Sequence, residues 1–179
     1  MRRIVGALAG TLALVLIILV AWDFIKPVRH VPQLIPADSR ATSILMEKQA
    51  RRLTLFHGDK VIKTFRAALG GDPIGTKQRE GDGRTPEGDY SIDSKNPRSH
   101  FHLALHISYP DAEDGARAAG RGVPPGGDIM IHGLPNGLGW LGGLHLWRDW
   151  TDGCIAVTDP EIEKIWTLVD TGTPIKIRP

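Results

Sequence analysis

Cys154 is the only cysteine among the 179 residues. A thiol becomes a nucleophile as its thiolate, which a neighbouring imidazole can generate by taking the proton. Seven histidines are available. His132 is the best placed of them, at the end of the short apolar run 128–132 and just before Gly133. Gly153 precedes Cys154 and permits a tight turn that exposes the sulfur, and backbone N–H groups in such a turn can point at a developing oxyanion. Taken singly, a lone cysteine also serves as a small buried hydrophobe, and a lone histidine as a hydrogen-bonded core residue. Their settings, glycine turn and strand end, are what favour chemistry.

Other polar residues carry weaker signals. His100, His102 and His106 fall on one face of an expected strand over 100–109, with Phe101, Leu103, Leu105 and Ile107 on the other. His-x-His is a metal-ligand spacing, which makes a zinc peptidase a rival class. No HExxH motif accompanies it, and a solvated or cleft-lining face is the plainer expectation. Arg84 has the planar fork that matches a substrate carboxylate, although such an arginine is also commonly solvated. Asp149 is expected to pair with Arg148 or to brace a loop. Trp140, Trp147 and Trp150 either line a groove or form a small core under the glycine-rich stretch 134–150.

These side chains need a scaffold. Arg2 and Arg3 are followed by residues 4–22, nineteen positions without a formal charge. As a helix this run would span about 28 Å, close to the hydrocarbon thickness of a bilayer. It reads as a transmembrane anchor or a signal segment. Ala21-Trp22-Asp23 is a poor cleavage site, which favours the anchor, with residues 1–3 as a cytoplasmic stub. A proline-containing linker (23–42) then leads to a domain (43–178) beyond the inner membrane, in the periplasm. Secretion to the periplasm after signal cleavage is the alternative.

Within the domain, strands are expected at 43–47, 52–56, 60–65, 89–93, 100–109, 128–133 and 174–177. Loops are expected at 70–88, 111–127 and 134–150. Thr158-Asp159-Pro160-Glu161 is a capping box with proline in the first turn, and Ile162, Ile165, Trp166 and Val169 follow at helical spacing. Gly 21 and Pro 13 exceed their usual shares and imply many turns. The expected fold is mainly β, a sandwich or barrel-like arrangement with one or two short helices. A net charge of +2 gives no nucleic-acid footprint, and a single cysteine excludes an internal disulfide and multi-cysteine zinc sites.

Ile131-His132-Gly133 followed by Thr151-Asp152-Gly153-Cys154-Ile155-Ala156-Val157 resembles the signature of the L,D-transpeptidase catalytic domain, YkuD type: histidine, a gap, then Ser/Thr-x-Gly-Cys. Thr85-Pro86-Glu87-Gly88-Asp89-Tyr90 is similar to that family's Thr-Pro-x-Gly-x-Tyr strand start. Asp152 and Ala156 depart from the common pattern, where histidine and arginine or asparagine are frequent. The run 149–157 resembles the YafK-like branch instead. The resemblance implies that Cys154 is the nucleophile on a peptidoglycan stem-peptide carbonyl and that His132 is the proton acceptor and donor. It implies further that the Gly133 carbonyl orients His132, and that the N–H groups of Gly153 and Cys154 form the oxyanion hole. Arg84, Thr151, Asp152, His102 and Trp150 are the expected substrate contacts. The Asp152 side chain should turn away from the sulfur, whose pKa its charge would raise. No metal or organic cofactor is implied. The implied activity is acyl transfer from the stem peptide to an amine. Alternatives are hydrolysis of the same bond type (L,D-carboxypeptidase, or an amidase releasing a wall-linked lipoprotein) and, in a different class, a non-catalytic wall-binding domain. The implied partners are stem peptides, such a lipoprotein and the inner membrane.

Overall fold

The computed structural model describes residues 39–179. The apolar run 4–22 and the linker up to residue 38 lie outside the described residues. Ala41 and Thr42, assigned to the linker above, already belong to the fold. Ala41 is buried and donates to Leu168 O at 2.8 Å, and Thr42 N–H bonds Phe56 O at 2.7 Å.

Three strands open the domain as a meander: β1 (Ser43–Glu47), β2 (Arg52–His57) and β3 (Lys60–Arg66). Their apolar residues alternate, so one face closes on the core. Ile44, Met46, Leu53 and Leu55 have almost no solvent exposure. A long strand β4 (Gly88–Ser99) is followed by β5 (His102–Ile107), β6 (Met130–His132), β7 (Ile155–Ala156) and β8 (Pro174–Arg178). The order across the sheet is β3-β2-β1-β8-β4-β5-β6-β7.

β4 holds the two halves together. Its first residues, Gly88 to Ser91, pair with β8, and the rest, from Ile92 on, pair with β5. Register shifts after Ile92 and Asn96 bend it, as bulges do. The sheet therefore curls. Its far strand β7 meets the chain just beyond β3, where Ala68 and Ala156 exchange backbone bonds of 2.9 and 2.8 Å. Of the two arrangements expected, the result is the barrel-like one, a single curled sheet, not a pair of stacked sheets.

Two α-helices are present among the described residues. The helix α2 (Asp159–Leu168) follows the expected cap: the Glu161 carboxylate accepts from Thr158 N–H at 2.9 Å and from its hydroxyl at 2.6 Å. Ile162 and Ile165 are fully buried, and the helix packs on β5. The helix α1 (Ala112–Ala119) stands where a loop was expected. Asp111 and Asp114 form a capping box there, and Asp114 also accepts from the Tyr90 hydroxyl at 2.9 Å. Alanine-rich turns carry no apolar stripe, so periodicity alone missed it. The strand over 100–109 is shorter than expected: His100 and Phe101 form a turn, and Ala104 is buried on the face assigned to solvent, opposite His132 on β6. None of the described helices is long and apolar enough to cross a membrane.

Candidate active site

β6 and β7 run parallel, with Ile131 opposite Ile155 and His132 opposite Ala156. Side chains alternate along a strand, so Cys154, two residues before Ala156, leaves the same face of the pair as His132. The curled sheet thus brings the predicted nucleophile and base to one side of two adjacent strands.

The imidazole is fixed. His132 is 3% exposed, and its Nδ1 lies 2.6 Å from Gly133 O. A carbonyl only accepts, so Nδ1 carries the hydrogen and Nε2 keeps its lone pair. Aromatic rings wall the imidazole in. Phe101 lies 4.5 Å away centroid to centroid, and Trp150 meets it edge-on at 5.9 Å and 72°. Sequence reasoning placed Phe101 only on a core face and missed this contact, because the strand's turn swings it toward His132.

The sulfur of half-buried Cys154 donates to Asp128 O at 3.4 Å, and the Met130 N–H faces it. The S–H is thus directed at that carbonyl, and rotation about Cβ–Sγ would redirect it. Burial pushes the thiol pKa up, with Asp152 and Asp128 adding to the rise, and the Met130 N–H and Lys77 opposing it. Burial likewise holds the His132 pKa down, and nearby His145 adds to that, against the Gly133 carbonyl. Both shifts favour the neutral forms, thiol and imidazole. The sign of the linkage follows. Below the ordinary histidine value of 6.5 the unfolded chain binds the proton that the folded site resists, so stability falls on acidification. Above the ordinary thiol value of 9.0 the unfolded thiol ionises first, so stability falls again on the alkaline side. Iodoacetamide alkylation of Cys154 is accordingly expected to rise with a midpoint above that of the urea-unfolded chain. A rate plateau reached by pH 7 would contradict the neutral pair.

The nucleophile turn is held from within. Thr151 is buried; its hydroxyl donates to Cys154 O at 2.7 Å and accepts from Gly153 N–H at 3.2 Å. Thr151 braces the turn from inside the fold, and the Gly153 N–H is directed at that hydroxyl. Gly153 has φ +129, and a Cβ there would lie 2.5 Å from Arg84 O. Gly153→Ala is expected to cost about 1–3 kcal/mol in backbone strain before the clash is counted, read as a fall in the urea midpoint.

The remaining expected contacts are distributed differently. The Arg84 guanidinium is engaged by Asp72, with Nε and one terminal nitrogen each 2.9 Å from Oδ2. It borders a polar cavity of about 320 Å³ together with Gln78, Arg79 and Asp82. His102 is held by α2, its Nε2 2.9 Å from Glu163. His106 pairs with Asp93 at 2.7 Å. No group of three metal-ligating side chains occurs among the described residues. Asp152 is exposed on the turn. Asp149 pairs with Arg51, closest at 2.6 Å, and accepts from Leu69 N–H at 2.9 Å. It is a loop brace whose cation is not Arg148.

Residues 134–150 fold around a 3-10 segment (Gly139–Trp147) kinked at Gly142. Trp140 and Trp147 are 77% and 83% exposed, so they are not a core beneath the loop. Trp150 is half-buried, and its Nε1–H donates to His145 Nδ1 at 3.3 Å. An apolar cavity of about 450 Å³ opens here, lined by Leu134, Leu138, Leu144, His145, Trp147 and Trp150 among others. His145 Nε2 is buried beside it without a partner.

Residues 41–177 match the family model of the YkuD L,D-transpeptidase catalytic domain. Over 98 residues the sequence is 34% identical to YafK of Escherichia coli (strain K12), a match covering 54% of this chain and 32% of YafK. The chain thus spans about a third of the length of that curated relative. Among solved structures, the helical cell shape determining protein Pgp2 of Campylobacter jejuni superposes with a TM-score of 0.56 at 27% identity, covering 75% of this chain and 46% of Pgp2. Bd1075 of Bdellovibrio bacteriovorus gives 0.54 at 26%, covering 80% and 49%. An L,D-transpeptidase from Mycobacterium smegmatis gives 0.51 at 15%, covering 76% and 58%, a likeness of fold.

Proposed function

We propose, from the premise that this chain belongs to the YkuD L,D-transpeptidase catalytic-domain family, that it is a peptidoglycan-modifying cysteine acyltransferase with Cys154 as nucleophile and His132 as base. The observation that carries this reading is the β6–β7 register, which sets Cys154 and His132 on one face while Gly133 O fixes the hydrogen on Nδ1.

The steps follow from two neutral partners. The thiol proton passes to His132 Nε2 as the sulfur forms its bond to the stem-peptide carbonyl at the L-centre of a diamino acid. The Cys154 N–H is the donor nearest the resulting oxyanion. The carbon–nitrogen bond then breaks, and the departing amine takes the proton from Nε2. An acceptor amine attacks the thioester, giving up its proton to the imidazole, and frees the thiol. Water in place of the amine would make the same site a hydrolase. The apolar run 4–22 would anchor the chain in the inner membrane with the domain in the periplasm, within reach of the wall.

The deciding experiment is muropeptide analysis of isolated peptidoglycan after incubation with the purified full chain. New cross-links or exchanged termini support transfer. Shortened stem peptides, or a released wall-linked lipoprotein, point to hydrolysis. A muropeptide profile identical to that left by the Cys154→Ala chain would overturn the proposal.

A further inference from the structure

We infer that Asp159 is a positioning residue for His132, acting through the peptide group that joins Gly133 to Leu134. The inference rests on the reading of His132 as the base. The Gly133 carbonyl that receives His132 Nδ1–H at 2.6 Å and the Leu134 N–H are two ends of one amide. That N–H donates to Asp159 Oδ1 at 2.8 Å. A single line of hydrogen bonds therefore runs from imidazole to carbonyl, across the amide, to a carboxylate. A charged acceptor on the N–H polarises the amide and makes its oxygen a stronger acceptor for Nδ1–H. The carboxylate so stabilises the ring when it takes up the sulfur's proton, without touching it.

The local structure is shaped around this carboxylate. A Cβ on Gly133 would lie 2.6 Å from Oδ1, and a Cβ on Gly139 would press still closer on Oδ2. The absence of both side chains lets two stretches of backbone close on Asp159. The helix does not need Asp159 for its cap, since Glu161 already accepts from Thr158. Asp159 lies five residues after Cys154. Val157 N–H also bonds His132 O at 2.9 Å, so the segment carrying the nucleophile fixes the base's backbone and its orienting amide together.

Several charged or titratable groups share this neighbourhood. His102 on β5 has Nδ1 3.9 Å from Asp159 Oδ2 and Nε2 on Glu163. His145 of the 3-10 segment acts on His132 through its charge, and Glu161 and Asp159 both act on His145. Cys154 stands on the β7 side. A test must therefore read His132 itself.

The full chain in detergent, as Asp159→Asn, Asp159→Ala and Gly139→Ala, is compared with wild type and His132→Ala. The readouts are the imidazole 15N shifts of His132 against pH and the pH profile of stem-peptide turnover. Asp159→Asn keeps an acceptor and loses the charge. It is expected to lower turnover about 10- to 100-fold and to move the His132 titration and the acid limb of the profile to lower pH. Gly139→Ala, which displaces Oδ2 without touching His132, should do the same to a smaller degree. Asp159→Ala should also raise the share of the Nε2–H tautomer. Wild-type titration and acid limb in Asp159→Asn overturn the inference, as does lost turnover with an unmoved titration, the mark of a merely structural role. Full turnover in His132→Ala sinks the base assignment itself, which is separable from the fate of Asp159.

Discussion

Cys154→Ala is expected to abolish turnover of stem peptides, by roughly 10⁴-fold or more, because no other thiol exists in the chain to form the acyl intermediate. The fold should survive. The side chain contributes one weak hydrogen bond to Asp128 O, and alanine fits the turn that Thr151 and Gly153 define. Circular dichroism and the urea midpoint should therefore stay close to wild type while activity disappears. His132→Ala sharpens the result. With a neutral resting pair, the imidazole acts only as the sulfur attacks, so its removal should slow turnover heavily. Iodoacetamide alkylation at pH 9.5 or above, where hydroxide generates the thiolate, should change little. If His132→Ala slowed alkylation equally at every pH, the imidazole would be supporting the fold and not the proton transfer.

The second large effect concerns stability. Lys48 is 2% exposed, and its ammonium donates to Gly75 O at 2.6 Å, Thr85 O at 2.9 Å and Glu87 Oε1 at 2.8 Å. Burial lowers its pKa and Glu87 acts against that fall. Lys48→Met keeps the apolar stem but leaves two carbonyls and a carboxylate without their donor. Breaking a buried pair from one side costs about 3–5 kcal/mol, a large part of an ordinary domain's stability. Chemical denaturation should show the loss directly. The loop that Lys48 ties down also carries Arg84, whose carbonyl packs against Gly153, so residual activity should be thermally labile. A midpoint within experimental scatter of wild type would refute a structural role for this ammonium.

Much of the local architecture was legible in the residues. The alternation in 43–66 specified the three-strand meander, and Thr158 to Glu161 specified the start of α2, because both signals act over a few positions. The spacing of a histidine at a strand end and a Gly-Cys turn pointed to the YkuD family, which the match over residues 41–177 bears out. Helix α1 was legible only through its Asp111 and Asp114 cap, since its alanines bury little. In 100–109 the positive φ of His102 breaks the alternation, and the acids of α2 take up that histidine.

What the sequence determined by itself was the family and the short-range elements that carry its motif. The tertiary structure alone decided who meets whom. Asp149 finds Arg51 across 98 positions, Trp150 and Phe101 enclose the imidazole, Thr151 turns inward and Asp159 reaches the amide behind His132. These contacts depend on the curl of the sheet, which closes when Ala68 pairs with Ala156. Hydrogen-bond caps and strand periodicity are written into neighbouring residues. The closure of a sheet is a collective result of all its strands and leaves no mark on any short stretch of chain.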